Sequence, residues 1–295
     1  MRRLAHAAAA AAAVVLAAAV TPAAPGGAAP VTATAAPAAR APILPPANPR
    51  YSLPSGRYLP TGCVGVRDSS GPCLRGSLAM IDAGRRAEHL GPVVLPVNWA
   101  RLPVAQQLFV LAELERTARG LAPDPGLSAA LGRTALTAAD AGRDPESTGL
   151  AGLWAGGEPN AIVVVADWVY EDGRFADGFT ENLSCSAAHP SSCWQHRDLL
   201  LHRGGPGPCG VRCAVGAAYS PTGYRAPTGA GRASYAAVYA RRGGSETFTW
   251  TAERPLLPAC ERSRDTCAWT GRPLATGRGI VTVRIRSSSR LSLHS

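Results

Sequence analysis

The chain has 295 residues, a formal net charge of +10 and 30 basic side chains, every one of them arginine. Those arginines are scattered and few aromatic residues lie among them, which argues against a nucleic-acid partner. The same excess charge allows a mild attraction to anionic cell-wall polymers or lipid headgroups.

Arg2 and Arg3 form a basic start ahead of an unbroken apolar run from Ala7 to Val20. The run is too short to span a bilayer comfortably, and small residues with Pro22 and Pro25 follow it. Residues 1–30 therefore read as a cleavable secretory signal, which predicts a secreted protein with no membrane span in the mature chain. Residues 31–54 are mostly Ala, Pro and Gly, a composition that cannot bury a core and reads as a linker. The remaining chain suffices for one good core. It divides into a main domain over 55–245 and a C-terminal β extension over 246–295, and the expected state is a monomer.

Ser77 to His89 has helical spacing, with Ser77 as N-cap. Val93 to Pro96 reads as extended. Pro103 opens a second helix running to Gly120, on which Val104, Leu108, Leu111, Glu115 and Ala118 fall on one stripe. Asp124 and Pro125 open a third, with Leu127, Leu131, Ala135 and Ala138 in helical register and Gly142 as its stop. Ala161 to Tyr170 suits a buried strand or a buried helix equally. A long loop follows from Asp172 to Pro190, then a short helix from Ser192 to about Leu201. Beyond it Cys213–Tyr219, Tyr235–Arg241 and Glu246–Glu253 read as an antiparallel series, with Arg242-Gly243-Gly244 as the turn between the last two. Ile280 to Arg286 alternates as a further strand. Helices first and strands after define an α+β domain.

The eight cysteines form four close pairs: Cys63 and Cys73, Cys185 and Cys193, Cys209 and Cys213, Cys260 and Cys267. An even count behind a secretory signal predicts disulfides, with each cysteine bridging to its neighbour in sequence. Zinc ligation is the rival, because the Cys209-x-x-x-Cys213 spacing suits half a site, but no second half of matching spacing is evident.

Several blocks fall into a family order. Val110–Leu131, VLAELERTARGLAPDPGLSAAL, resembles the opening helices of the CAP superfamily of cysteine-rich secretory, antigen 5 and pathogenesis-related proteins. Val165–Glu171 resembles that family's helix with an internal Trp and a Glu three residues on. Cys193–Leu201 resembles its bacterial His-Arg element, Cys213–Ala218 its Gly-Val-Gly strand, and Ser234–Tyr239 its last core strand. Leu95-Pro96-Val97-Asn98-Trp99 followed by Gln106–Val110 is similar to an actinobacterial group within the superfamily. The resemblance implies an α-β-α sandwich with a small antiparallel sheet between helices, and a helix over Ala161–Tyr170.

The family cleft often holds two His and two Glu. The resemblance puts Thr134 and Ser234 at the histidine positions and Ala151 at one glutamate position, leaving Glu171 and the His196 of the His-Arg element. Glu171, Trp194, His196, Arg197 and Ser234 are then the expected cleft residues. A tight metal site and a cofactor are not expected, and neither is a site built from His189, His196 and His202. The implied function is an extracellular binding or interaction module for a lipid, sterol or cell-wall ligand. The alternative is an extracellular hydrolase using His196 as base and Glu171 as its orienter, with Ser234, Ser191 or Ser192 as nucleophile. No nucleophile-elbow pattern frames any of these serines, so His196 and Glu171 are expected to form a structural pair.

Overall fold

The computed structural model describes residues 60–258, apart from 61, 66–67, 147–149, 173–192, 203–208, 211 and 226–230. The expected secretory signal (1–30), linker (31–54) and Ile280–Arg286 strand, with Cys185, His189, Ser191, Ser192, Cys260 and Cys267, lie outside the described residues. These residues form a mixed helix-and-sheet fold with six α-helices and one five-stranded sheet. No helix among them is long and apolar enough to cross a membrane.

Helix α1 spans Gly71–Ala87, starting earlier than its periodicity predicts. Ser70 is the cap: its hydroxyl accepts from the Cys73 N–H, and Pro72 in the first turn gives up no needed donor. Ser77, expected at that cap, lies inside the helix, fully buried, where its hydroxyl accepts from Asn160 Nδ2 at 2.9 Å. Helix α2, Val104–Ala118, starts after Pro103 as expected. It is buried on every side from Leu108 to Arg116, so its Glu113, Glu115 and Arg116 must find partners in the interior.

Asp124 and Pro125 do not open the third helix. Gly126–Ser128 forms strand β1, and helix α3, Ala129–Ala141, begins behind the Ser128 side chain, which accepts from Leu131 N. The Asp124 carboxylate is committed elsewhere, accepting from Cys213 N at 2.7 Å. Gly142 does stop the helix, with φ +65°. Strand β2, Ala151–Gly156, has no β-branched residue to announce it; it forms by pairing with a later strand.

The ambiguous segment is helical. Helix α4, Ala161–Ala166, runs into a π-helical turn over Asp167–Glu171, and every residue of both is buried. The Asn160 side chain caps it, accepting from Ile162 N at 3.1 Å. The local cap and complete burial outweigh the strand preference of Ile162-Val163-Val164-Val165. Helix α5, Gln195–Leu200, follows.

Strands β3, Ala214–Arg225, and β4, Gly231–Ala240, pair antiparallel, and β2 adds to the far side of β4. Strand β5, Glu246–Thr249, does not fold back on β4 through the glycine turn. It crosses to pair antiparallel with β1, giving the order β2-β4-β3-β1-β5. β1 lies parallel to β3, so the sheet is mixed rather than wholly antiparallel. The expected strand Glu246–Glu253 ends at Thr249, whose hydroxyl accepts from Ala252 N to cap helix α6, Trp250–Glu253. The start of the C-terminal extension expected over 246–295 thus pairs with β1 in the sheet, and Trp250 and Leu257 are in the core.

Alternate residues of β3 and β4 supply two clusters, as the two-residue period of a strand requires. Val215, Ala217, Tyr235, Ala237 and Tyr239 join the large core with α1, α2 and α4. Ala218, Ala236, Val238 and Ala240 join a small core with Leu131, Ala135, Ala138 and Ala139 of α3. The α3 side is nearly all alanine, and Gly216 faces the Leu131 backbone without room for a side chain. Cys63–Cys73 and Cys209–Cys213 are disulfides between sequence neighbours, as expected. Cys193 is also disulfide-bonded, and among the described residues no cysteine is free.

Candidate functional site

His196, on the first turn of α5, is held between two aspartates. Its Nδ1 lies 2.8 Å from Asp172 Oδ1 and its Nε2 3.6 Å from Asp144 Oδ1. Asp172 closes the π-helical turn, is fully buried, and accepts the Arg197 N–H at 3.1 Å; Asp144 is exposed just past the end of α3. Glu171 is therefore not the partner: the carboxylate one residue further on takes the imidazole. Burial disfavours the charged ring, but the Asp144 and Asp172 carboxylates beside it more than offset that cost, pushing the His196 pKa up to about 9. Two carboxylates so placed favour the protonated ring at neutral pH, the form that accepts no further proton.

The other expected cleft residues are placed apart in role. Glu171 is buried in the π-helical turn. Trp194 has φ +65° at the start of α5, with the Arg197 guanidinium 5.9 Å from its ring. Arg197 is only 3% exposed and points inward: it donates to the Val169 carbonyl and to Glu88 Oε1. Ser234 is fully buried on β4, and its hydroxyl accepts from Trp154 Nε1 at 2.8 Å. Trp154 stacks at a tilt on Tyr224 with centroids 5.5 Å apart, covering that serine. Thr134 is half-buried on α3 and Ala151 opens β2, facing Tyr239 in register.

Arg197 leads into a buried ionic network that residue patterns did not announce. Glu88, just past α1, accepts from Arg197 through Oε1 and from Arg119 through Oε2 at 2.6 Å. Arg119 also reaches Glu115 Oε2 at 2.6 Å and the Tyr170 hydroxyl at 2.9 Å. Tyr170 donates to the same Glu115 oxygen at 2.6 Å, and Arg85 reaches Glu115 Oε1 at 3.3 Å. Burial would raise Glu115, but the Arg85 and Arg119 cations and the Tyr170 hydroxyl hold its carboxyl below the ordinary value. The network joins α1, α2, the π-helical turn and α5. Its one visible signal was Glu115, an acid on an apolar stripe, with Arg119 one turn on.

A second polar cluster lies by the Cys209–Cys213 disulfide. His202 Nε2 is 3.1 Å from Asp124 Oδ2 and its Nδ1 3.0 Å from the Gly210 carbonyl. Arg116 approaches Asp124 at 3.6 Å and donates to the Leu200 and Ala122 carbonyls. Burial, then repulsion from Asp124, raises the neighbouring Glu113 carboxyl well above its ordinary value. Donor atoms of Asp124, His202 and Cys213 lie within 4.8 Å of one another, and all three residues are buried.

No family model, curated protein or solved structure matches this chain.

Proposed function

We propose that the chain is an exported CAP-like domain acting as an extracellular binding or interaction module for a lipid, sterol or cell-wall ligand. The carrying observation is the state of His196: clamped between Asp144 and Asp172, it is a cation at neutral pH and ties α5 to the end of the π-helical turn and to the segment after α3. Ser234, the described serine that the resemblance sets in the cleft, has its hydroxyl engaged by Trp154. A charged imidazole and a capped, buried hydroxyl do not make a base and nucleophile. The order α2, β1, α3, β2, α4, α5, β3, β4 and the two clusters fed by alternate strand residues support the α-β-α sandwich that the resemblance implies. The disulfides support an oxidising destination.

The test pairs two measurements on the secreted protein. Co-sedimentation with anionic vesicles, sterol-containing vesicles and purified cell walls is expected to show binding to one of the three. A broad esterase, peptidase and glycosidase screen is expected to be silent. A hydrolytic activity abolished by His196→Ala or Ser234→Ala, in variants that keep the parent melting temperature, would replace the module with an enzyme.

A further inference from the structure

We infer that Cys209, Cys213, His202 and Asp124 are a zinc site in the reduced protein, and that the Cys209–Cys213 disulfide is the oxidised, metal-free form of that site. The sequence offers only the Cys209-x-x-x-Cys213 half; the fold supplies the other half from elements far apart in the chain. Asp124 comes from the segment before β1 and His202 from just past the end of α5.

Five features carry the inference. The donor set is two thiolates, one imidazole and one carboxylate, which suits tetrahedral zinc. The donor atoms of Asp124, His202 and Cys213 already lie within 4.8 Å of one another, and Cys209 is bonded to Cys213. His202 Nε2 and Asp124 Oδ2 are 3.1 Å apart, close to the roughly 3.3 Å that two tetrahedral zinc ligands at about 2.0 Å require. The other imidazole nitrogen faces the Gly210 carbonyl at 3.0 Å, and Asp124 Oδ1 accepts the Cys213 N–H at 2.7 Å. These are the outer contacts that orient a histidine and a carboxylate toward a metal. Zinc with two thiolates and one carboxylate carries a net charge of −1, and Arg116, 3.6 Å from Asp124, balances it.

The exchange balances. A phosphine reductant takes the disulfide to two thiols, supplying two electrons and becoming phosphine oxide with oxygen from water. Zinc then displaces one proton from each thiol, releasing two protons per ion bound.

The experiment uses the full chain carrying Cys63→Ser and Cys73→Ser, which removes the separate cluster of those cysteines with Asp68. After phosphine reduction under argon, zinc is titrated against a chromophoric chelator. One zinc per chain at about micromolar affinity or tighter is expected, with binding about a hundredfold weaker before reduction. Cys209→Ser and His202→Ala should each weaken it about tenfold or more. Should those variants fail to fold, cobalt added to the reduced parent reads the same site: intense tetrahedral bands with thiolate charge transfer are expected. Equal affinity in the oxidised protein would overturn the inference. So would no binding once the thiols titrate as free, or affinity indifferent to both substitutions. A weak octahedral cobalt spectrum would overturn it as well.

Discussion

Glu115, in the last turn of α2, and Arg119, the residue that ends the helix, are joined twice: Arg119 Nη1 donates to the Glu115 carboxylate at 2.6 Å and to its backbone carbonyl at 2.7 Å. Both side chains are fully excluded from water. Glu115 therefore answers two buried arginines and a buried tyrosine at once. Glu115→Gln leaves Arg85 and Arg119 short of their counter-charge. The expected cost is about 3–5 kcal/mol, the range for breaking a buried ion pair, read as a loss in urea-unfolding midpoint. A change below about 0.5 kcal/mol would mean that water or another acid replaces Glu115.

The His196 clamp predicts a pH dependence of definite sign. Its folded pKa, about 9, lies above the unfolded value of 6.5. The stabilisation is fully present below that unfolded value. It drains away as pH rises from 6.5 through about 9, because the folded state must then give up a proton that the unfolded state has already lost. The clamp contributes up to about 3 kcal/mol at pH 6. Melting of the parent and of His196→Gln, compared from pH 6 to pH 10, should converge as pH rises. Parallel curves would refute the clamp.

Asp82 on α1 gives the opposite test. Burial raises its pKa to about 6, although the Val93 N–H at 2.7 Å and Arg85 favour the anion. Its contribution is fully present below about pH 4 and lost as pH rises through about 6, since the folded site prefers the neutral acid. Asp82→Asn keeps an acceptor for Val93 and removes the cost of ionisation. It should stabilise the protein at pH 7.5 by about 1–3 kcal/mol and do little at pH 4, as read by calorimetry at both values. Destabilisation at pH 7.5 would show that the anion is wanted.

Gly216 sets how closely α3 approaches β3. A Cβ there would collide with the backbone of Leu131 and Gly132, which cannot move aside as a side-chain tip can. Gly216→Ala should cost about 1–3 kcal/mol by overpacking. Gly65→Ala is a poor control because φ there is positive, whereas Gly132→Ala meets only the Ala217 carbonyl at 3.8 Å and should be near neutral. Equal melting temperatures for the two variants would mean that α3 can shift off the sheet.

The sequence by itself determined the features that depend on near neighbours. Pro103 started α2, Gly142 stopped α3 with a left-handed residue, and Cys63–Cys73 and Cys209–Cys213 bridged over short loops. The β3–β4 pairing was legible too, because both runs carry strand-favouring Val and Tyr and are bounded by Gly and Pro. Tertiary structure decided what depends on partners remote in the chain. Ala161–Glu171 became helix because burial on all sides rewards either form and the Asn160 cap broke the tie. β2 exists only through β4, and β5 left its glycine turn for β1 because Leu127 and Phe248 complete the large core there. The site followed the same rule. His196 was visible as a residue, yet its partners were set by the pitch of a π-helical turn and the end of α3, which bring Asp172 and Asp144 to it in place of Glu171. Asp124 read as a helix cap, and only folding carried it to His202 and Cys213, because a buried carboxylate is stable where donors converge and nowhere else in a dry core.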